Sequence, residues 1–445
     1  MSDKTELKAG AAETVITPKV VLKSLADVNW IGEVGDGYYT PKEGELIPLY
    51  GDLYARVLVL EDNEGSLAIV TLDMTEISYE RTDVLLQSIH QATGIPKENI
   101  VINCSHTHNE PDESDPNIKE APSFESELAG HLAAITKNAI DNLQPATIHV
   151  GREPVQIAYN RRFMKDDGEI TMAPNPKGPI VPWVDVLGAY GSSGERIGVL
   201  FSYAAHPVII MDFDHAPSHV QTVVGPDYPG FAIGHLRGLL GENGEAEGVF
   251  MFAQGCSANI NGFPLRGGFG ACDAAGLSLA AAVKRAMGEF ETVPPTPLKS
   301  QSMTLSLPLQ RPTVKLCKQL LVEEPGSLHY QRLLERAEND VRESIPLPMR
   351  AFAVGDELCI LSLPGEMFAE YQLFADEISP FKHTLVFGYT NGNSGYIATK
   401  KDYDLGLAGG YEASLKHRLP PEPSVEGHIQ EGITRLLSEL KYANN

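Results

Sequence analysis

The chain has 445 residues, a formal net charge of -24, 42% hydrophobic and 21% charged residues. That make-up suits a soluble globular protein with material for a sizeable core and excludes a disordered chain. Phosphate binding and adsorption to anionic lipid are driven by clustered Lys and Arg, so no nucleic-acid partner and no stable membrane association are expected. No apolar stretch approaches a bilayer span and residues 1–8 contain no apolar signal segment, so the expected location is cytoplasmic. The five cysteines, Cys104, Cys256, Cys272, Cys317 and Cys359, lack C-x-x-C spacing. They read as core thiols rather than disulfides or a thiolate metal site.

Residues 12–16 and 54–60 read as strands, and Asp62-Asn63-Glu64-Gly65 turns the second into a hairpin with 67–72. A helix is expected over 82–92, with Val84, Leu85 and Ile89 as its apolar positions and Gly94 as its stop. The apolar run Val101-Ile102 then leads through Asn103 and Cys104 into Ser105-His106-Thr107-His108-Asn109-Glu110. A β-branched run that ends in metal-capable side chains is how a buried strand of an α/β protein delivers a site beyond its C-terminal end. In extended chain, residues two apart point the same way, so His106 and His108 are expected to face one cavity. Ser123 reads as the N-cap of a second helix, with Leu128, Leu132, Ile135 and Ala139 on one stripe.

A strand at 147–150 is followed by Tyr159-Asn160-Arg161-Arg162 and a Pro/Gly-rich stretch at 173–182. The apolar run 197–203 ends in Ala204-Ala205-His206-Pro207, 249–253 ends in Gln254-Gly255-Cys256-Ser257-Ala258-Asn259-Ile260-Asn261, and 358–363 ends in Pro364-Gly365-Glu366. Several strand ends carrying His, Asn and Glu are what a metal site assembled from distant parts of a chain needs. The segment at about 292–348 opens with Pro294-Pro295-Thr296-Pro297 and reads as a peripheral insertion or linker containing a charged helix at 330–343; an amphipathic helix over 424–440 closes the chain. The expected fold class is α/β, a mixed β-sheet core flanked by helices with the site at strand C-terminal ends.

Lesser candidates complete the reading. Asp73 is taken as a turn or cap residue ahead of a role in orienting a metal-bound histidine. His215 and His219 are taken as compositional features of a His-rich loop ahead of ligands. Asp227 reads as the cap of a helix that begins there, Gly267-Gly268-Phe269-Gly270 as a flexible lip, and Trp183 as core packing ahead of a substrate platform.

Taken in order, Ser105-His106-Thr107-His108, Asn160-Arg161-Arg162, Ala205-His206-Pro207, Asp227-Tyr228-Pro229-Gly230, the Gln254 to Asn261 segment, Pro364-Gly365-Glu366, Asn393-Ser394-Gly395-Tyr396 and Gly410-Tyr411-Glu412 resemble the neutral ceramidase family over nearly the whole chain. The resemblance implies one zinc ion per chain, held by His106, His206, Glu366 and Tyr396. It implies that His108, Arg161 and Tyr411, with Tyr396, hold and polarise a scissile amide. Zinc lowers the pKa of a bound water to about 7 and polarises a carbonyl; Arg161 would stabilise an oxyanion and His108 would move a proton. Ceramidases carry a serine implicated in catalysis where this chain has Asn261, so zinc-activated water is expected in place of acyl transfer to serine. The resemblance also implies one catalytic domain over 1–445, without the C-terminal immunoglobulin-like domain of ceramidases.

Polar loops flank the last motifs, Asn391-Gly392-Asn393-Ser394 before Tyr396 and Lys400-Lys401-Asp402-Tyr403-Asp404 after it. They point to a small, water-soluble acylated or sugar-like substrate. The expected function is a zinc-dependent amide hydrolase. The alternatives are an ester or lactone hydrolase, a zinc lyase, an N-acyl lipid amidase such as a ceramidase, and a non-catalytic ligand-binding protein.

Overall fold

The computed structural model describes residues 6–17, 23–24, 48–110, 124–210, 224–241, 246–294 and 297–442. Ser123, His215 and His219 lie outside the described residues. Two β-sheets lie face to face, and helices cover the outer face of each. The larger sheet has nine strands in the spatial order Val249–Gln254, Arg196–Tyr203, Trp183–Gly191, Gln144–Pro154, Lys8–Val15, Tyr54–Glu61, Ser66–Leu72 and Ile100–Cys104, with Glu291–Val293 paired to Gln144–Pro154 off this path. The smaller has four, Leu298–Pro308, Ser344–Val354, Leu358–Ser362 and His383–Phe387.

Side-chain alternation explains why the strands read as continuous apolar runs. In Tyr54–Glu61, Val57 and Val59 pack under the helices Tyr79–Thr93 and Phe124–Asp141, while Leu58 and Leu60 pack against Phe352, Leu358 and Ile360 of the smaller sheet. A strand buried on both faces has no use for the polar alternation of a half-exposed one. Each such side chain contributes roughly 1.5–3 kcal/mol by its burial. The helices Asp227–Leu240 and Gly268–Gly288 cover the other half of the large sheet, and Ala369–Ile378 and Val425–Tyr442 cover the small one.

Three parallel strand pairs are each bridged by a helix: Ser66–Leu72 with Ile100–Cys104, Arg196–Tyr203 with Val249–Gln254, and Leu358–Ser362 with His383–Phe387. His106, His206 and Glu366 each follow a strand of one of these pairs. The expected mixed sheet flanked by helices is what forms. All five cysteines are buried and free, and among the described residues no helix is long and apolar enough to cross a membrane.

Four local expectations change. The stretch at about 292–348 supplies Leu298–Pro308 and the start of Ser344–Val354, which pair with each other along eleven registered positions; the excursion is confined to 309–343, with helices Val314–Glu323 and Leu328–Glu338. Both ends of the stretch therefore belong to the smaller sheet rather than to a linker. Gly268 begins the helix Gly268–Gly288, so the glycine-rich tract is a helix start rather than a lip. Asp227 sits at φ 52 and accepts from Tyr228 N and Ile210 N, at 2.7 and 2.9 Å, instead of capping the first helical turn. Asp73 pairs with Arg56 at 3.0 Å and accepts Tyr54 N, which ties down the hairpin and leaves the site histidines to other partners.

Gly10 shows how closely the layers approach: a Cβ there would stand 2.0 Å from the carbonyl oxygen of Ala139 in Phe124–Asp141. Gly10→Ala must therefore push helix from sheet, at a cost of about 1–3 kcal/mol. Thermal unfolding is expected to show a lowered midpoint; an unchanged one would mean that the two layers slide freely.

Candidate metal centre

The two edge strands of the large sheet meet the end of the small sheet at a buried polar junction. Asn103 donates from Nδ2 to Gln254 O at 3.1 Å and Gly388 O at 2.7 Å, and its Oδ1 accepts Gln254 N at 2.8 Å. The Gln254 carboxamide lies beyond it. Its Nε2 donates to Ser105 O and Ala205 O at 2.9 and 2.8 Å, and its Oε1 accepts Ala205 N at 3.3 Å. Ser105 and Ala205 immediately precede His106 and His206, so one side chain sets the spacing of both imidazoles.

Each imidazole is then turned by its own Nδ1, which meets a backbone carbonyl: Thr75 O at 2.7 Å for His106, and Ser257 O at 2.8 Å for His206. Those acceptors assign the proton to Nδ1 and leave Nε2 as a lone pair, the arrangement of metal-bound histidines. Thr75 is itself held, donating N–H to Glu110 at 2.8 Å and its hydroxyl to Thr107 O at 2.7 Å. The His106 ring lies 4.2 Å from that of Tyr389, centre to centre.

Glu366 arrives from the third strand end. Gly365 at φ 73 makes the turn, and a Cβ there would stand 2.9 Å from Ser394 N. Glu366–Met367 then pairs in parallel with Tyr396–Ile397, making Glu366 and Tyr396 direct neighbours. Glu366 Oε2 lies 3.4 Å from both His106 Nε2 and His206 Nε2. Burial, with the positive charge of Arg161 adding to it, pushes His206 down to about 3, so its Nε2 brings no proton to the carboxylate. Both His206 Nε2 and Glu366 Oε2 are buried without a hydrogen-bond partner.

Buried acceptors facing one another are costly, and a cation among them removes the cost. Two imidazole nitrogens and a carboxylate oxygen are a donor set that suits zinc. His108 joins them: its Nε2 is 3.3 Å from His106 Nε2, and ligand nitrogens of His106, His108 and His206 lie within 4.8 Å of one another.

Arg161 forms the wall beside this cluster. Its Nε donates to Glu412 at 2.7 Å, Nη1 to Asn261 Oδ1 at 3.0 Å and Nη2 to Tyr396 Oη at 3.0 Å. Burial works against its charge, but the hydrogen bond to Tyr396 and the carboxylate of Glu412 outweigh it and keep the guanidinium ionised. Burial, reinforced by Glu366, holds the Tyr396 phenol well above its ordinary value, so this ring stands as a neutral phenol. Tyr411 is 47% exposed, its ring 5.6 Å from that of Tyr396. A cavity of about 50 Å³ adjoins Arg161 and Asn261, walled by Tyr159, Met172, Phe263 and Leu265.

The fold matches solved structures. Neutral ceramidase from Pseudomonas aeruginosa superposes with a TM-score of 0.70 at 18% identity, covering 99% of this chain and 75% of that one. A ceramidase complexed with C2 gives a TM-score of 0.70 at 17% identity, covering 99% and 76%. The chain has the neutral-ceramidase fold. No protein-family model and no curated protein sequence matches it.

Within the neutral-ceramidase fold, His106, His108, Arg161, His206, Glu366 and Tyr396 come together, and Tyr411 stands at their exposed side. The route for His106 and His108 differs from the extended-chain expectation. The strand ends at Cys104, and His106 takes φ 64, so a left-handed turn and not strand alternation brings the two rings to 4.8 Å. Trp183 donates to Asp185 under the Arg152 guanidinium, away from these residues.

Sequence reasoning missed Glu412, Asp402 and Asn103 as parts of the machinery. The signal for the first two was Arg161-Arg162 inside a run with buried neighbours, since adjacent buried guanidiniums demand carboxylates from elsewhere. Glu412 binds both arginines, and Asp402 accepts Arg162 Nη2 at 3.1 Å. Glu412→Leu leaves two buried cations undercompensated and is expected to destabilise the fold by about 3–5 kcal/mol. Denaturant unfolding checks this; a loss under about 1 kcal/mol would mean that water replaces the carboxylate, as at an exposed pair.

Proposed function

We propose that the chain is a zinc-dependent hydrolase of an amide bond in a small acylated substrate. The observation that supports it best is the convergence of His106 Nε2 and His206 Nε2 on Glu366 Oε2, each at 3.4 Å, with His206 Nε2 and Glu366 Oε2 buried and lacking a hydrogen-bond partner. His106, His206 and Glu366 would hold the ion, with Tyr396 as a weak fourth ligand. Bound there, zinc supplies activation of a water and polarisation of a carbonyl.

The remaining steps belong to the chain. Arg161, anchored at three points, offers its free N–H groups to the oxygen that gains charge as the carbonyl is attacked. His108, kept neutral chiefly by burial, takes the proton of the attacking water and returns it to the leaving nitrogen. Tyr396 donates its phenolic proton toward the same developing charge, and Tyr411 closes the exposed side over polar groups of the substrate. The cavity beside Arg161 suits a short acyl group.

Metal analysis of purified protein separates these roles. His106→Ala and His206→Ala are expected to lose the single equivalent of zinc, whereas His108→Ala is expected to keep it and lose activity by about 10²–10⁴-fold. Full zinc retention in both ligand variants would reject the site. Loss of zinc from His108→Ala would make that residue a ligand instead.

A second reading, an N-acyl lipid amidase, is favoured by the exposure of Met172, Phe263 and Leu265 around the cavity, at 46%, 45% and 37%. These apolar walls run against the polar loops on which the soluble-substrate expectation rested. A ladder of N-acyl compounds below their micelle concentrations decides between the two. The small-substrate reading expects kcat/KM to level off after a few carbons. A several-fold rise per added methylene out to long chains, following the roughly 0.8 kcal/mol of each buried CH₂, would select the lipid amidase.

A further inference from the structure

We infer that Arg418 is an anion-recognition residue of this site and that the amide substrate carries a carboxylate on its amine side, an inference that rests on the amide-hydrolase reading. The Arg418 guanidinium lies over two site rings at once, 4.2 Å from the centre of Tyr396 and 4.4 Å from that of Tyr411. Its Nε donates to Tyr411 O at 2.8 Å. That bond and the two ring faces hold the plane of the guanidinium, and among the described residues Nη1 and Nη2 have no acceptor and Arg418 has no ion pair. The neighbouring charges are otherwise engaged: Lys416 pairs with Glu169 at 3.4 Å, and Glu76, near enough to feel Arg418, takes its hydrogen bond from Asn393.

Among the described residues Arg196, Arg332 and Arg350 also lack a carboxylate partner, and what sets Arg418 apart is its place over the rings of Tyr396 and Tyr411. Arginine binds carboxylates through parallel N–H groups, and with Nε occupied the Nη1 and Nη2 edge remains for such a fork. Rings that fix the plane beforehand lower the ordering cost of that contact. Arg161 and Arg418 stand over the same Tyr396 ring, 5.5 and 4.2 Å from its centre, so a substrate whose acyl group lies beside Arg161 would place an anion on its amine side toward Arg418. N-acylated amino acids have this composition.

The test is equilibrium binding by calorimetry to the zinc-loaded full chain, using N-acetylglycine and its neutral partner N-acetylglycinamide. Wild type is expected to bind the carboxylate about tenfold or more tightly than the amide, as charge-assisted hydrogen bonds do. Arg418→Met is expected to abolish that preference, and Arg418→Lys, which keeps the charge but not the fork, to retain part of it. The thermal midpoint of each variant reports its folding, and Arg418→Lys serves alone where Arg418→Met does not fold. Equal affinities in wild type, binding of neither compound, or a preference that survives undiminished in the variants through carboxylate held at the metal would each overturn the inference. Turnover is scored separately. An anion preference that depends on Arg418 without hydrolysis of any N-acyl compound would reject the amidase reading and leave the anion site standing. Hydrolysis with no anion preference would do the reverse.

Discussion

The Gln254 carboxamide is the contact on which the site's geometry depends. Strand pairing fixes the large sheet internally, but its two edges, Ile100–Cys104 and Val249–Gln254, share no ladder. Backbone groups at a buried edge must still find partners. Asn103 and Gln254 supply them with side-chain amides, which imitate a peptide group and can bridge two strand ends that are not in register. Satisfying the buried backbone and spacing His106 from His206 are thus done by the same four hydrogen bonds. Asn391 does similar work further along the same edge, accepting Ile102 N and donating to Ile100 O.

Against that frame the charged layer makes sense. Arg161 and Arg162 are adjacent in a strand, yet both are nearly inaccessible, and desolvating two cations is recovered only when carboxylates come with them. Asp402 and Glu412 arrive from two short helices, Lys400–Tyr403 and Gly410–Ala413, 240 and 250 residues after Arg162. Glu412 locks the Gly410–Ala413 helix, and so Tyr411, to the strand of Arg161 and Arg162. The buried pairs therefore serve orientation more than net stability: they fix which side of Arg161 remains open toward Glu366 and Tyr396.

Much of this was legible in the residues because the strands are buried on both faces. An apolar run such as 197–203 or 249–253 stands out from its surroundings, and the polar residues that end it mark where it leaves the core. Cap chemistry was legible too: Gly94 ends its helix in the left-handed conformation at φ 79, as an isolated glycine after a periodic run implies. What escaped was whatever depends on two distant segments meeting. Nothing local in Pro294-Pro295-Thr296-Pro297 says that the next eleven residues pair with 344–354. Nothing local to Arg418 says that two tyrosines stand beneath it. Asn103 and Gln254 look like ordinary strand-end polar residues until the edges they join are known.

The left-handed residues near the site carry the same point into energetics. His106, Tyr389 and Asn391 have φ of 64, 50 and 50, and none is glycine, so each costs of order 1–3 kcal/mol and persists only where its surroundings over-determine it. Those surroundings are identifiable. His106 N donates to Met74 O while its Nδ1 meets Thr75 O, Tyr389 N donates to Gly365 O, and Asn391 is held on both sides of its amide by the Ile100–Cys104 strand. An extended chain through Ser105 would carry His106 along the strand direction. The left-handed turn instead folds it back over Tyr389, where its Nε2 meets Glu366. The strain is therefore the cost of turning a strand-end histidine toward Glu366 and His206, which follow strands it never pairs with.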